Sequence, residues 1–116
     1  MIRRPSEAEC QRTIIEAARR GGWLVHAERP AQTAGRHMTP IQGNRGFPDL
    51  VLVHERRHQV VVVELKRKPN RLEPDQQKWI EAFAVSGVDA RVVWVPEQLD
   101  DFVRFLVNSD QQRLEL

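Results

Sequence analysis

A chain of 116 residues can bury one hydrophobic core but not two, and its 29% charged and 41% hydrophobic content excludes wholesale disorder. The net charge of +2 is compatible with a polyanionic partner, more through clusters such as Arg19 with Arg20 and Lys66 to Lys68 than through the sum. No run approaches the roughly 18 apolar residues of a membrane helix, and the single cysteine, Cys10, excludes an intramolecular disulfide framework or a cysteine-based zinc site. A cytoplasmic protein with no membrane partner is expected.

Ser6 and Glu9 form a capping-box pattern that opens a helix, and Gly21 and Gly22 close it. Cys10, Thr13, Ile14, Ala17 and Ala18 recur at helical spacing and are expected to face the core, with Glu7 and Gln11 one turn apart on another face. Trp23 to Val25 follows as a short strand that His26 extends. Glu28 to Arg45, with two prolines, two glycines and no periodicity, reads as a long loop.

Phe47 to His54 and His58 to Lys66 are expected as a hairpin turned at Glu55 to Arg57. Alternation in the second strand puts Val62, Glu64 and Lys66 on one face and Val61, Val63 and Leu65 on the other. A polar connector leads to a helix from Pro74 to Val85 with Trp79, Ile80 and Phe83 at core spacing. Ala90 to Val95 is a further strand, and Glu97 to Val107 is an amphipathic helix with Leu99, Phe102, Val103 and Leu106 inward. Residues 1–108 form the expected domain, and 109–116 a polar tail. The order α-β-β-β-α-β-α implies an α/β fold with one mixed sheet flanked by helices.

Asp49, Glu64 and Lys66 sit in the most apolar part of this pattern. A buried charge must be paired, ligate a metal or neutralise itself. Two carboxylates on neighbouring strands suit a hard cation such as Mg²⁺, which takes oxygen ligands and keeps positions open for phosphate. A lysine on the same face would assist the attacking water or neutralise charge building on a phosphate. The competing structural readings are an exposed Glu64–Lys66 pair on an edge strand and a turn aspartate after Pro48. A protein-interaction domain with merely solvated acids also remains open. His26, His37, His54 and His58 show no metal-ligand spacing and are expected mostly at the surface, with His26 and His37 retained as substrate contacts.

The pattern Pro48-Asp49 with Glu64-Leu65-Lys66 resembles the PD-(D/E)XK nuclease superfamily, and GFPDLVLV with VELK resembles its VRR-NUC branch. The resemblance runs from SEAECQRTIIEAARRGGW through the hairpin to RLEPDQQKWIEAFAVSGVDARVVW. It implies a restriction-endonuclease-like fold and a metal-dependent DNA endonuclease acting on branched DNA such as Holliday junctions, working as a homodimer. The implied ligands of Mg²⁺ or Mn²⁺ are Asp49, Glu64 and the Leu65 carbonyl, with Glu7 as the first-helix acid, Lys66 beside the water and Gln76 opening the later helix. Glu9 and Gln77 are the alternatives if the register shifts. Arg36, His37 and Arg45, with Arg67, Lys68 and Arg71, are the expected nucleic-acid contacts, which would make binding steeply salt-dependent. The alternative within the fold is a non-catalytic nucleic-acid-binding module, although Asp49, Glu64 and Lys66 are all in place.

Overall fold

The structure, a computed structural model, describes residues 3–28 and 42–114, with side chains through residue 108. The elements are α1 (Glu7–Arg20), β1 (Leu24–Ala27), β2 (Leu50–His54), β3 (Gln59–Lys66), α2 (Pro74–Val85), β4 (Asp89–Trp94) and α3 (Leu99–Leu114). The expected order is the observed one. The four strands lie in sequence order, β1-β2-β3-β4, with β1 and β3 antiparallel to β2 and β4 parallel to β3. A parallel neighbour needs a crossover, and α2 supplies it.

Ser6 caps α1 as its sequence implies: its hydroxyl accepts from the Glu9 amide, and the Glu9 carboxylate accepts from the Ser6 amide. The Arg3 guanidinium and then that Ser6 amide pull the Glu9 carboxyl down to about 2. Cys10, Ile14, Ala17 and Ala18 are buried, but Thr13 is exposed and Gln11 takes a buried place instead. The Thr13 hydroxyl donates to the Glu9 carbonyl one turn back, which an outward position permits. Gln11 is held inside because its amide donates to the Glu28 carbonyl, at 3.1 Å.

The core lies between α1, α3 and one face of the sheet, formed by Leu50, Leu52, Val61, Val63, Leu65 and Val93 with Ile14, Phe102 and Leu106. Trp23 is buried there at 3% exposure, and its indole donates to the Leu106 carbonyl of α3. It is therefore a core anchor. His54 is also buried, contrary to the surface position expected for it. Its Nδ1 accepts from the Arg57 amide, so Nε2–H donates to the Gly21 carbonyl at 2.9 Å, while the ring meets the edge of Trp23. A strand-end histidine with both nitrogens engaged carries no desolvation penalty large enough to expel it.

Two boundaries and the burial of one helix differ most from expectation. β2 begins at Leu50, since Phe47 turns away to meet Trp79 and Phe83, and Asp49 stands just before the strand. Trp79, Ile80 and Phe83 are only half-buried and α2 has no fully buried residue, because it packs mainly on the edge strand β4. α3 continues past Asn108, where a polar tail is expected; residues 109–114 contain neither glycine nor proline and are rich in good helix formers.

Candidate functional site

Strand register brings the charges together. Leu50 pairs with Val63, so continuing the antiparallel ladder by one residue sets Asp49 across from Glu64. The same continuation toward β1, where the Glu28 amide donates to the Asp49 carbonyl, sets Glu28 beside Asp49. Glu28, Asp49 and Glu64 thus form a row across three strands on the face away from α1 and α3. Lys66 lies two residues beyond Glu64 on that face.

The Asp49 carboxylate accepts a 2.8 Å hydrogen bond from the Leu65 amide, which fixes one oxygen to the strand end. Glu64 is only 2% exposed and its Oε1 has no hydrogen-bond partner. Lys66 Nζ stands 3.9 Å from the other oxygen, close enough for attraction and too far for a hydrogen bond. Burial first, and Asp49 second, push the Glu64 carboxyl up to about 8, against the pull of Lys66. Burial likewise raises Asp49, opposed by the Leu65 amide and Lys66.

Glu7 opens α1 at this end of the sheet. Its carboxyl is raised by burial and then by Asp49, with Lys66 and Arg67 opposing. It faces the charge cluster, while Glu9 is spent on the cap and Arg3. Among the described residues, no group of three His, Cys, Asp or Glu side chains is clustered closely enough to hold one ion. Gln76 is engaged in its own helix, its side-chain oxygen accepting from the Glu73 amide, and Gln77 donates to Glu81; neither hydrogen bond reaches the carboxylates.

Among the expected nucleic-acid contacts, Arg45, Lys68 and Arg71 are exposed, and Arg67 is half-buried with an unpartnered Nε. Arg36 and His37 lie outside the described residues, as does most of the expected long loop. Glu28 was missed by sequence reasoning. Its only signal is the strand count that places it level with Asp49, which requires the β1–β2 register.

The segment entering β2 is clamped to α2. The Arg45 carbonyl accepts from the Trp79 indole at 2.9 Å, and Gly46, at φ +93°, lies so close to the Asp75 backbone that a Cβ there would sit 2.6 Å from the Asp75 carbonyl carbon. Only glycine satisfies both the angle and the approach. Asp49 is thereby positioned by α2 as well as by β3.

The profile of the VRR-NUC domain matches residues 24–97, which include β1 through β4 and every strand-borne charge described above. The chain belongs to the VRR-NUC family. Two solved VRR-NUC structures share the fold of this VRR-NUC chain. One, a "VRR-NUC domain", has a TM-score of 0.63 at 24% identity over 86% of this chain and 97% of its own. The other, a "VRR-NUC domain protein", has a TM-score of 0.58 at 18% identity over 97% of this chain and 91% of its own. Among curated proteins, the Fanconi-associated nuclease 1 homologs of Caenorhabditis elegans and Caenorhabditis briggsae are 43% and 40% identical over 53 residues. That match takes in 46% of this VRR-NUC chain and 6% of each relative's length.

Proposed function

We propose that this VRR-NUC domain is a metal-dependent endonuclease that hydrolyses phosphodiester bonds in DNA, with branched or otherwise structured duplexes as its substrates. The observation that carries the reading is the orphaned, buried Oε1 of Glu64 facing a second desolvated carboxylate, Asp49. Such a pair is unfavourable alone and is relieved by a cation. Two carboxylates and a backbone carbonyl suit Mg²⁺ or Mn²⁺, which retains waters rather than filling an all-protein cage.

Asp49, Glu64 and the Leu65 carbonyl would hold the ion. Once bound, it supplies Lewis-acid polarisation of the phosphodiester and acidification of a water. The Leu65 amide keeps Asp49 oriented, and the packed strand around Glu64 excludes bulk water. Lys66, with its side chain 13% exposed, presents its ammonium at the rim, where it would orient the attacking water and offset charge on the phosphate. Water oxygen bonds to phosphorus, the bond to the 3′ oxygen breaks, and that oxygen takes a proton, leaving 5′-phosphate and 3′-hydroxyl ends. Glu7 and Gln76 are proposed to flank this centre, with Arg45, Arg67, Lys68 and Arg71, and Arg36 and His37 of the adjoining segment, holding the strand.

The test is incubation with single-stranded, duplex, flap and four-way-junction DNA in Mg²⁺, Mn²⁺ or EDTA. Cleavage in either metal, none in EDTA and a preference for the branched substrates are expected. Metal-independent binding without cleavage on every substrate would favour the non-catalytic module instead. Lys66→Ala is expected to keep Mn²⁺ binding by calorimetry while slowing single-turnover cleavage by roughly 10²-fold. Loss of Mn²⁺ binding in that variant would make Lys66 a support for the carboxylates rather than a participant.

A homodimer is the proposed assembly, since a four-way junction presents two symmetry-related strands. Leu24, Val53 and Val60 pair level across three strands, and Leu24 and Val60 are 68% and 42% exposed, an apolar row of the kind that interfaces cover. A dimer mass by light scattering is expected; a monomer mass both free and on junction DNA would exclude it. The cytoplasm is the proposed location, consistent with the reduced, buried Cys10.

A further inference from the structure

Beside the clamp that positions Asp49 lies a groove of about 230 Å³ lined by Asn44, Arg45, Asp75, Lys78, Trp79 and Ala82. Trp79 forms its aromatic wall. The indole is fixed on three sides: its N–H donates to the Arg45 carbonyl, Phe47 meets it edge-on at 5.0 Å, and Phe83 lies tilted against it at 5.6 Å. A ring held this way offers a preformed surface with little entropy left to lose on binding. Arg45 and Lys78 put two cations on the rim, and both are exposed. Asp75 adds an acceptor of the type that takes an exocyclic amino group.

Aromatic wall, flanking cations and one acceptor together match an unpaired nucleotide better than an apolar ligand. The volume is below the roughly 300 Å³ at which drug-sized sites begin, which admits one ring system rather than a run of bases. Arg45 is four residues from Asp49, so the chain between them spans at most about 14 Å, or about four base steps of 3.4 Å. We propose that the groove holds one unpaired nucleobase of the substrate strand against Trp79, with Arg45 and Lys78 taking its neighbouring phosphates. This deepens the nuclease reading and rests on it for the substrate class. It gives the domain a way to select strands in which a base has left the duplex, since a paired base cannot enter.

The test is binding of single-stranded octanucleotides by fluorescence anisotropy in EDTA, so that the outcome does not depend on metal or cleavage. One abasic nucleotide is walked along the probe. An intact probe is expected to bind about tenfold more tightly than the probe lacking a base at the preferred position, the scale of one base–aromatic stack. Trp79→Ala should abolish that difference and Trp79→Phe should retain most of it. Should Trp79→Ala fail to fold, Ala82→Leu fills the groove from an exposed helix position and should abolish the difference in the same way. Lys78→Ala should weaken all probes alike and lower the salt slope by about one. Equal affinity of the unsubstituted protein for intact and abasic probes would overturn the groove, as would persistence of the abasic penalty in a folded Trp79→Ala or Ala82→Leu variant. Absence of cleavage in the metal experiment, with base-dependent binding retained, would overturn the nuclease reading and leave the groove standing.

Discussion

Asp49→Ala or Glu64→Ala is expected to reduce metal-dependent cleavage to background while the protein stays folded. Each substitution removes one of the two carboxylates proposed to hold the ion, and Mg²⁺ has too few protein ligands here to lose one. Folding should survive because neither side chain belongs to the core formed with α1 and α3. Circular dichroism would confirm the fold, and a single-turnover assay on the preferred branched substrate would read the loss. More than a few per cent of the original rate in either variant, with contaminating nuclease excluded, would count against the assignment.

The second large effect is on stability without metal. The Glu64 carboxyl sits at about 8 in the folded protein against 4.5 for an ordinary glutamate, so the folded state holds its proton more tightly than the unfolded chain. The resulting stabilisation is full below the unfolded value and is lost as pH rises toward the folded one. Asp49 and Glu7 are raised as well and act in the same direction. In EDTA, the thermal midpoint should therefore fall between about pH 5 and pH 8. Glu64→Gln should flatten most of this fall and raise stability at pH 8 by on the order of 2 kcal/mol, or several degrees for a domain of this size. Mn²⁺ should reverse the trend, since it competes with the proton and binds more tightly as pH rises. A flat midpoint across this range in EDTA would mean that Glu64 is solvated or already paired.

The order of elements and the charged face of β3 were legible because they depend on local patterns: a capping box, glycine stops and period-two alternation around VVVVELK. Asp49 and Glu64 could be paired from the hairpin alone, whose turn is short enough to set the register. The rest depends on partners distant in sequence. His54 and Gln11 look like surface residues until Gly21 and Glu28 provide the groups that satisfy them inside. Trp79 and Phe83 carry a core spacing, but nothing local tells that α2 rests on an edge strand and spends its aromatics on Phe47. Trp23 reads locally only as the start of a short strand, and the Leu106 carbonyl, 83 residues away, is what makes it a core anchor.

The two principal acids also differ from their neighbours in when they meet. Asp49 and the Leu65 amide that orients it are 16 residues apart on one hairpin, a short loop to close. Glu7 instead belongs to α1, and the parallel β3–β4 pairing spans the α2 crossover, so both closures are longer. Contacts close in sequence cost less loop-closure entropy to form than distant ones. The hairpin is therefore expected to carry its mutual repulsion before Glu7 and the α2 clamp have arrived. A cation present during folding would act on that nascent hairpin as well as on the finished site, and Mn²⁺ would be felt in the refolding rate as well as in the final stability.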